Sequence, residues 1–540
     1  MNTPRTFAAL LAGPLSLTGA LMLPGVARAQ SLGPPPVPPE NPITEAKRVL
    51  GKALFWEEQL SSDSTMACGT CHIPSAGGSD PRVDMGSRHP GLDGVYGGDD
   101  DRFASAGVRR HLAGGDAAPD ATFGFDAQVT GRRSPTNIGA AFFDELFWDG
   151  RATSEFVDPE TGLVSIPSGG ALETQSLGPI LSFVEMADEG RTWDEVRAKL
   201  EAVQPLALAT DLNPDLVAAL AASPDYPALF ATAFGDPAIT AERIAFALAT
   251  YQRTLHPDQT PWDLYVSGQT NALTAAQRNG LNAFNSSTTR CADCHTPPLF
   301  SDGSYRNLGL RDIAEDNGRQ GVTGNFDDRG RFKVPTLRNV ALRERYFHHG
   351  DPNLSNLFLS VFIYNQGAGF FLDNKDPILS GVFMAPSTAT SIATFLEALT
   401  DPRVEAELPP FDRPTLRSEL GPAATLSGIA APGSGAIRPR IDAYCPPVTG
   451  AQSFRVGVHD ALGGAAAFVE YSANPIGYGG PTQLVHRTTL GGNGVGEGYG
   501  TYVTELPSDA ALIGTQMHFR WHVRDQGTRA RTQWASLVVL

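Results

Sequence analysis

Two short segments, Cys68-Gly-Thr-Cys71-His72 and Cys291-Ala-Asp-Cys294-His295, hold the residue types best suited to chemistry in this chain. A pair of thiols one helical turn apart, followed at once by an imidazole, is the pattern of covalent haem c attachment. Both sulfurs form thioethers to the porphyrin edge, and the histidine ligates the iron from below. With five cysteines and eleven histidines in 540 residues, one chance copy is roughly a one-in-a-thousand event, so two copies predict two covalently bound haem c groups. A structural zinc site would need four converging Cys or His ligands, and a thiol redox pair needs neither a trailing histidine nor a second copy.

The chain around these segments states where and on what they are carried. Arg5 precedes an apolar run from Phe7 to Val26 that ends in Ala27-Arg28-Ala29 before Gln30, the pattern of a secretory signal peptide over residues 1–29. Gly13, Pro14, Gly19 and Pro24 interrupt that run, and no later segment reaches the length of a membrane span. The expectation is an exported, periplasmic protein, and the periplasm is where bacteria attach haem c. Cys445 then has no partner for an internal disulfide and is expected as a buried or incidental thiol. The formal charge of -17 argues against nucleic acid and anionic membranes and is compatible with a basic redox partner.

The predicted fold class is mainly α, with two cytochrome c-like haem domains followed by a C-terminal β-sandwich-like domain. Residues 30–42 read as a Pro-rich tether, with Pro34 to Pro39 extended. Thr192-x-x-Glu195 and Thr274-x-x-Gln277 are capping boxes, and Ile244, Leu248, Tyr251 and Leu255 lie on one helical stripe. Two small helical packages fill residues 43–265 and 266–417. The Asp- and Gly-rich stretch from Asp93 to Asp101 lacks the spacing of a calcium loop and reads as solvated. Residues 418–440 are rich in Gly, Ala, Pro and Ser and mark a linker. In residues 441–540 the period becomes two: Met517, Phe519, Trp521 and Val523 face one way, while His518, Arg520, His522 and Arg524 are expected to face solvent.

Arg132-Arg-Ser-Pro-Thr136, Phe147-Trp-Asp-Gly-Arg-Ala152, Gly178-Pro-Ile180 and Glu185-Met186 in the first half, with Phe300-x-Asp302, Asn307-x-Gly309, Asp328-x-Gly-Arg331 and Val334-Pro-Thr-Leu-Arg-Asn-Val340 in the second, together resemble the bacterial dihaem cytochrome c peroxidase family. The resemblance spans roughly residues 43–417 and does not reach the last part of the chain. It implies that the N-terminal haem is the peroxide site and the C-terminal haem transfers electrons. By spacing from Gly178-Pro179, the family's distal glutamine and glutamate fall on Gln175 and Glu185, with an insertion from Glu155 to Gly170 ahead of them. Glu185 would move a proton between the peroxide oxygens, Gln175 would orient the peroxide, and Pro179 would shape the pocket. Trp148 matches the tryptophan between the haems and would serve as electron relay. His89, with His111 behind it, is the candidate to cap the first iron.

Where relatives place a methionine on the second iron, after a His-x-Gly that here is His348-His349-Gly350, this chain has Tyr364, with Met384 as a fallback. A tyrosine there resembles the tryptophan-oxidising methylamine-utilisation branch. An anionic phenolate stabilises the oxidised metal, so His295/Tyr364 ligation would favour a high-valent state shared by both haems. Relatives hold a calcium ion between the haems. Here Arg133, Arg343 and Arg345 occupy its surroundings, which makes that calcium doubtful. The resemblance thus implies an enzyme reducing hydrogen peroxide to water with electrons from a small redox protein, such as a cytochrome c or cupredoxin. The alternatives are peroxide-dependent oxidation of a protein side chain or small molecule, and a dihaem electron carrier without catalysis.

Overall fold

The computed structural model describes residue 1 and residues 31–365, 367–474 and 481–540, so the expected signal peptide falls, apart from Met1, outside the described residues. No helix among them is long and apolar enough to cross a membrane.

The Thr44 hydroxyl accepts the Lys47 amide and starts helix Glu45–Phe55. Val49, Leu50, Ala53 and Leu54 of that helix are buried, and it packs on helix Ala241–Thr254. The stripe Ile244, Leu248 and Tyr251 of the second helix is buried, as a period of 3.6 residues requires. Gly51 lies at the crossing, where a Cβ would sit 1.9 Å from the Ala247 carbonyl oxygen. The second half uses the same device: helix Ala275–Phe284 crosses helix Pro386–Glu397 at Gly280, where a Cβ would sit 1.9 Å from the Ser391 carbonyl oxygen. Each crossing has its own core, one including Leu54, Phe230 and Leu248 and the other Trp262, Phe284 and Phe395. Both expected capping boxes form, at Thr192/Glu195 and Thr274/Gln277.

A second repetition runs through the loops, where residues of the two halves match at one constant offset. Pro135-Thr136 corresponds to Pro335-Thr336, Gly139 to Asn339, Phe147 to Phe347, and Gly150 to Gly350. The backbone repeats as well: φ is 76° and 59° at Gly139 and Asn339, and 65° and 63° at Phe147 and Phe347. A left-handed phenylalanine is a steric outlier. Its recurrence at one place in each half turns the next residues, Trp148 and His348, toward each other, with ring centroids 6.2 Å apart.

The Pro-rich segment is docked. The Asn41 amide donates to Glu173 Oε1 at 2.7 Å and to the Phe246 carbonyl, and Glu173 receives both guanidinium ends of Arg253 at 2.7 and 2.8 Å. This buried network ties helix Ala171–Leu177, which carries Gln175, to helix Ala241–Thr254. The insertion ahead of it forms a short hairpin, Phe156–Val157 with Val164–Ile166. It returns where Gly170 donates to the Ser154 carbonyl, so Gln175 keeps its place.

The C-terminal region forms two antiparallel sheets. One contains Arg440–Asp442, Phe454–Leu462 and Val495–Thr504; the other runs Gln483–Thr489, Ala466–Ser472, Gln516–Asp525, Trp534–Val538, Thr425–Ser427, with Thr528–Arg531 also paired to Gln516–Asp525. Phe454, Val456 and Val458 of the first sheet meet Phe519, Trp521 and Val523 of the second in one core. The segment expected as a linker therefore contributes the edge strand Thr425–Ser427.

Two expectations change here. His518 and His522 do not face solvent: they are 3% and 7% exposed. Cross-strand neighbours cover them, with His518 Nδ1 2.7 Å from Ser536 Oγ, His522 Nε2 2.7 Å from Glu470 Oε2, and Phe468 stacked on the His522 ring. The mainly α class also overstates the helix content, since 29% of the chain is helical and 18% is strand. Between Glu58 and Gly170 the chain consists, apart from the one-turn helix Cys68–Cys71, of loops, 3-10 turns and short ribbons, several of which line a cavity. In the Asp93 to Asp101 stretch, Asp93, Asp100 and Asp101 accept backbone amides of their own loop.

Candidate active site

The short helix Cys68–Cys71 ends at His72, whose amide donates to the Gly69 carbonyl. His72 Nδ1 is 3.0 Å from the Gly78 carbonyl oxygen. A carbonyl only accepts, so Nδ1 carries the proton and Nε2 is left as the ligating nitrogen. The Thr136 hydroxyl donates to the neighbouring Gly77 carbonyl at 2.7 Å and fixes that loop. The second site is built alike: His295 Nδ1 is 2.9 Å from the Phe300 carbonyl oxygen, and the Thr336 hydroxyl donates to the Leu299 carbonyl at 2.6 Å. Burial pushes the Cys68 and Cys71 thiols up to about 12 and Cys291 up to about 11.

His72, Cys68 and Cys71 line a cavity of about 570 Å³ whose other walls include Gln175, Pro179 and Glu185. Glu185 sits in the turn after the 3-10 helix Pro179–Leu181, with its amide donating to the Ser182 carbonyl. Burial holds its carboxyl above the ordinary range, opposed by Ser182 and Arg151. His295, Cys291 and Cys294 line a second cavity of about 170 Å³, together with both Tyr364 and Met384. Tyr364 follows helix Leu357–Phe362, and burial pushes its phenol up. Trp148 lines both cavities, and its Nε1–H donates to the Arg133 carbonyl at 2.8 Å.

The first cavity also contains cations without counter-ions. Arg133, Arg343 and Arg345 line it, and Arg133 Nε and Nη1, Arg343 Nε and Arg345 Nε are buried without a hydrogen-bond partner. Burial pushes the Arg133 and Arg343 guanidinium groups down to about 10. Unpaired buried charge is costly, and free guanidinium donors fit the propionate carboxylates of a haem. With the free imidazole Nε2 and the paired thiols, these donors make both the shape and the charge of the site fit that group. The same arginines disfavour a calcium ion beside them. Both haem spectra are therefore expected to survive chelator treatment of the loaded protein. Loss of electron transfer between the haems on chelation would overturn this.

Neither candidate cap lines the first cavity. His89 accepts the Gly91 amide at Nδ1 and packs edge-on against Phe123. His111 Nε2 pairs with the Tyr444 hydroxyl. His348 was not singled out by its residue type. It lines the second cavity, stacks on Phe332 at 3.6 Å, and occupies the position in the second half that Trp148 holds in the first. Lys333 lines both cavities, donates to the Glu145 carbonyl at 2.8 Å, and is pushed down to about 7 by burial. The constant offset between the halves, which pairs His348 with Trp148 and Lys333 with Arg133, is the sequence signal that could have found both.

A sequence profile described as di-haem cytochrome c peroxidase matches residues 45–271. The chain is 31% identical over 353 residues to Cytochrome c peroxidase Ccp of Escherichia coli (strain K12), covering 64% of this chain and 59% of that protein, and thus less than two thirds of its length. It is 27% identical over 424 residues to Cytochrome-c peroxidase IdrP1 of Pseudomonas sp. (strain SCT), covering 71% of this chain and 90% of the relative. It is 30% identical over 375 residues to Methylamine utilization protein MauG of Methylorubrum extorquens, covering 67% and 81%. Two Cys-x-x-Cys-His sites of one build meet at Trp148; with the profile match and these relatives, the chain belongs to the di-haem cytochrome c peroxidase family, oxidoreductases with two covalently bound haem c groups.

Proposed function

We propose that this protein is a periplasmic peroxidase that reduces hydrogen peroxide to water at the His72 site. Its electrons would arrive through the second haem from a small redox protein such as a cytochrome c or cupredoxin. The observation that carries the reading is the unequal lining of the cavities. The larger one is lined by the partly buried carboxyl Glu185 and by Gln175, and the smaller by Tyr364 and Met384 instead. Residues 43–265 would form the peroxide domain, 266–417 the electron-transfer domain, and 441–540 a domain joined by residues 418–440.

When bound, the haem held by Cys68, Cys71 and His72 would supply an iron that exchanges single electrons. Glu185 would take a proton from one peroxide oxygen and give it to the other, which would leave as water. Two electrons and two protons convert each peroxide into two waters. The Gln175 amide orients the peroxide, and Pro179 narrows the space beside it. Trp148 puts an indole between the cavities, held by its bond to the Arg133 carbonyl.

Tyr364 supports a second reading, in which peroxide is the oxidant for a protein side chain or small molecule. Adding peroxide to the loaded protein with a reduced cytochrome c or cupredoxin separates the two. Stoichiometric oxidation of the donor is expected. Peroxide consumption that leaves the donor reduced would favour the second reading, and no peroxide consumption in any redox state would leave an electron carrier.

A further inference from the structure

We infer that the C-terminal β-domain is a positioning part of the peroxide site, holding from both sides the backbone that carries Glu185. This rests on the reading of Glu185 as the proton shuttle. On one side is strand Ala106–Arg109, whose Ala106 and Gly107 line the first cavity. A Cβ on Gly107 would sit 2.0 Å from the Val184 carbonyl oxygen and 2.8 Å from Glu185 Cα, so the strand lies directly on the Glu185 turn. The partner strand Ala127–Val129 reaches the same turn, where the Gln128 amide donates to the Phe183 carbonyl at 2.7 Å. On the other side the turn continues to Asp188 and Glu189, and the Glu189 amide donates to the His111 carbonyl at 2.9 Å.

The three-stranded sheet grips each of these pieces. Asp442 accepts from Arg109 at 2.7 Å, and the same guanidinium lies 4.4 Å over the Tyr444 ring. The Tyr444 hydroxyl pairs with His111. Arg455 donates to both oxygens of Asp188, at 2.8 and 2.5 Å. Further along, Thr501 Oγ1 accepts the Ala117 amide at 2.8 Å, and His459 stacks on Phe125 at 4.8 Å.

Strand geometry explains the division of labour. In Phe454–Leu462, alternate residues Phe454, Val456 and Val458 enter the sandwich core, and Arg455 and His459, pointing the opposite way, meet the haem-bearing region. Both faces of that strand are buried, which a free-standing domain would not require. A wall fixed at several points holds the partly buried Glu185 against the cavity and limits its hydration. The groups facing its carboxyl are Arg151, Ser182 and the Cys68 and Cys71 sulfurs, none of which belongs to the β-domain. The sheet therefore acts on Glu185 through position alone.

The test uses Asp442→Asn and Tyr444→Phe, separately and combined, in the full-length, haem-loaded protein. Thr501→Val is a milder third variant in case the double variant misfolds, and Gln483→Ala, exposed on the other sheet, is the control. Hydrogen exchange of residues 182–189 is expected to speed up in the variants and not in the control, with haem content unchanged. The acid limb of peroxide consumption is expected to move toward the ordinary carboxyl range near about pH 4.3, with kcat falling roughly 10- to 100-fold. Unchanged exchange of the turn together with an unchanged pH midpoint in every folded variant would overturn the inference. If Glu185→Gln retains activity, the proton-shuttle reading fails, and the brace is then judged on hydrogen exchange alone.

Discussion

Glu185→Gln is expected to slow peroxide consumption by about 10²- to 10⁴-fold while both haems stay attached. The substitution keeps the size of the side chain and one acceptor oxygen, replaces the other oxygen with an amide donor, and removes the ability to accept a proton. The attachment residues, the Gly78 carbonyl that orients His72 and the arginines of the first cavity are untouched. The same carboxyl sets the pH dependence. A base must be ionised to accept the first proton, and burial holds Glu185 above the ordinary range. The wild-type rate should therefore fall as pH drops through a midpoint above about 4.3, the unperturbed glutamate value, and Glu185→Gln should lack that limb. Rapid-mixing kinetics with peroxide across pH checks both. A variant within a few-fold of wild type would remove Glu185 from the reaction.

Tyr364→Met is expected to raise the potential of the second haem by on the order of 0.2 V, a fraction of the roughly 0.8 V over which axial ligands tune haem. A phenolate stabilises the oxidised iron by its charge, and a thioether does not. Burial pushes the free Tyr364 phenol up, so at neutral pH only an iron bond would ionise it, and a tyrosinate signal therefore reports ligation. Met384 lines the same cavity and is the competing ligand. Its replacement by Leu should leave the potential and the low-spin signal in place. A redox titration in which Met384→Leu moves the potential and Tyr364→Met does not would exchange the two assignments.

The Cys-x-x-Cys-His segments were legible as cavity walls because the motif is local: one helical turn puts both thiols and the imidazole on one wall. The family resemblance likewise led to Gln175, Glu185, Trp148 and Tyr364, all of which line the two cavities. Long-range features were less legible. The loops whose Gly78 and Phe300 carbonyls orient His72 and His295 are pinned one residue earlier, at the Gly77 and Leu299 carbonyls, by Thr136 and Thr336 far along the chain. His518 and His522 follow a clean period of two, yet cross-strand Ser536, Glu470 and Phe468 cover the face expected in water. Periodicity separates two faces of a strand and cannot say what packs on the second. His89 was picked by distance along the chain, and the turn at Gly91 and the Phe123 ring take it elsewhere.

The central claim is that the two haem sites are unequal, open at His72 and closed at His295. Electron paramagnetic resonance of the fully oxidised, loaded protein, before and after peroxide, tests it most directly. One high-spin and one low-spin iron are expected, with peroxide altering the high-spin signal without prior reduction. Two low-spin signals, unchanged by peroxide until the protein is half-reduced, would contradict it.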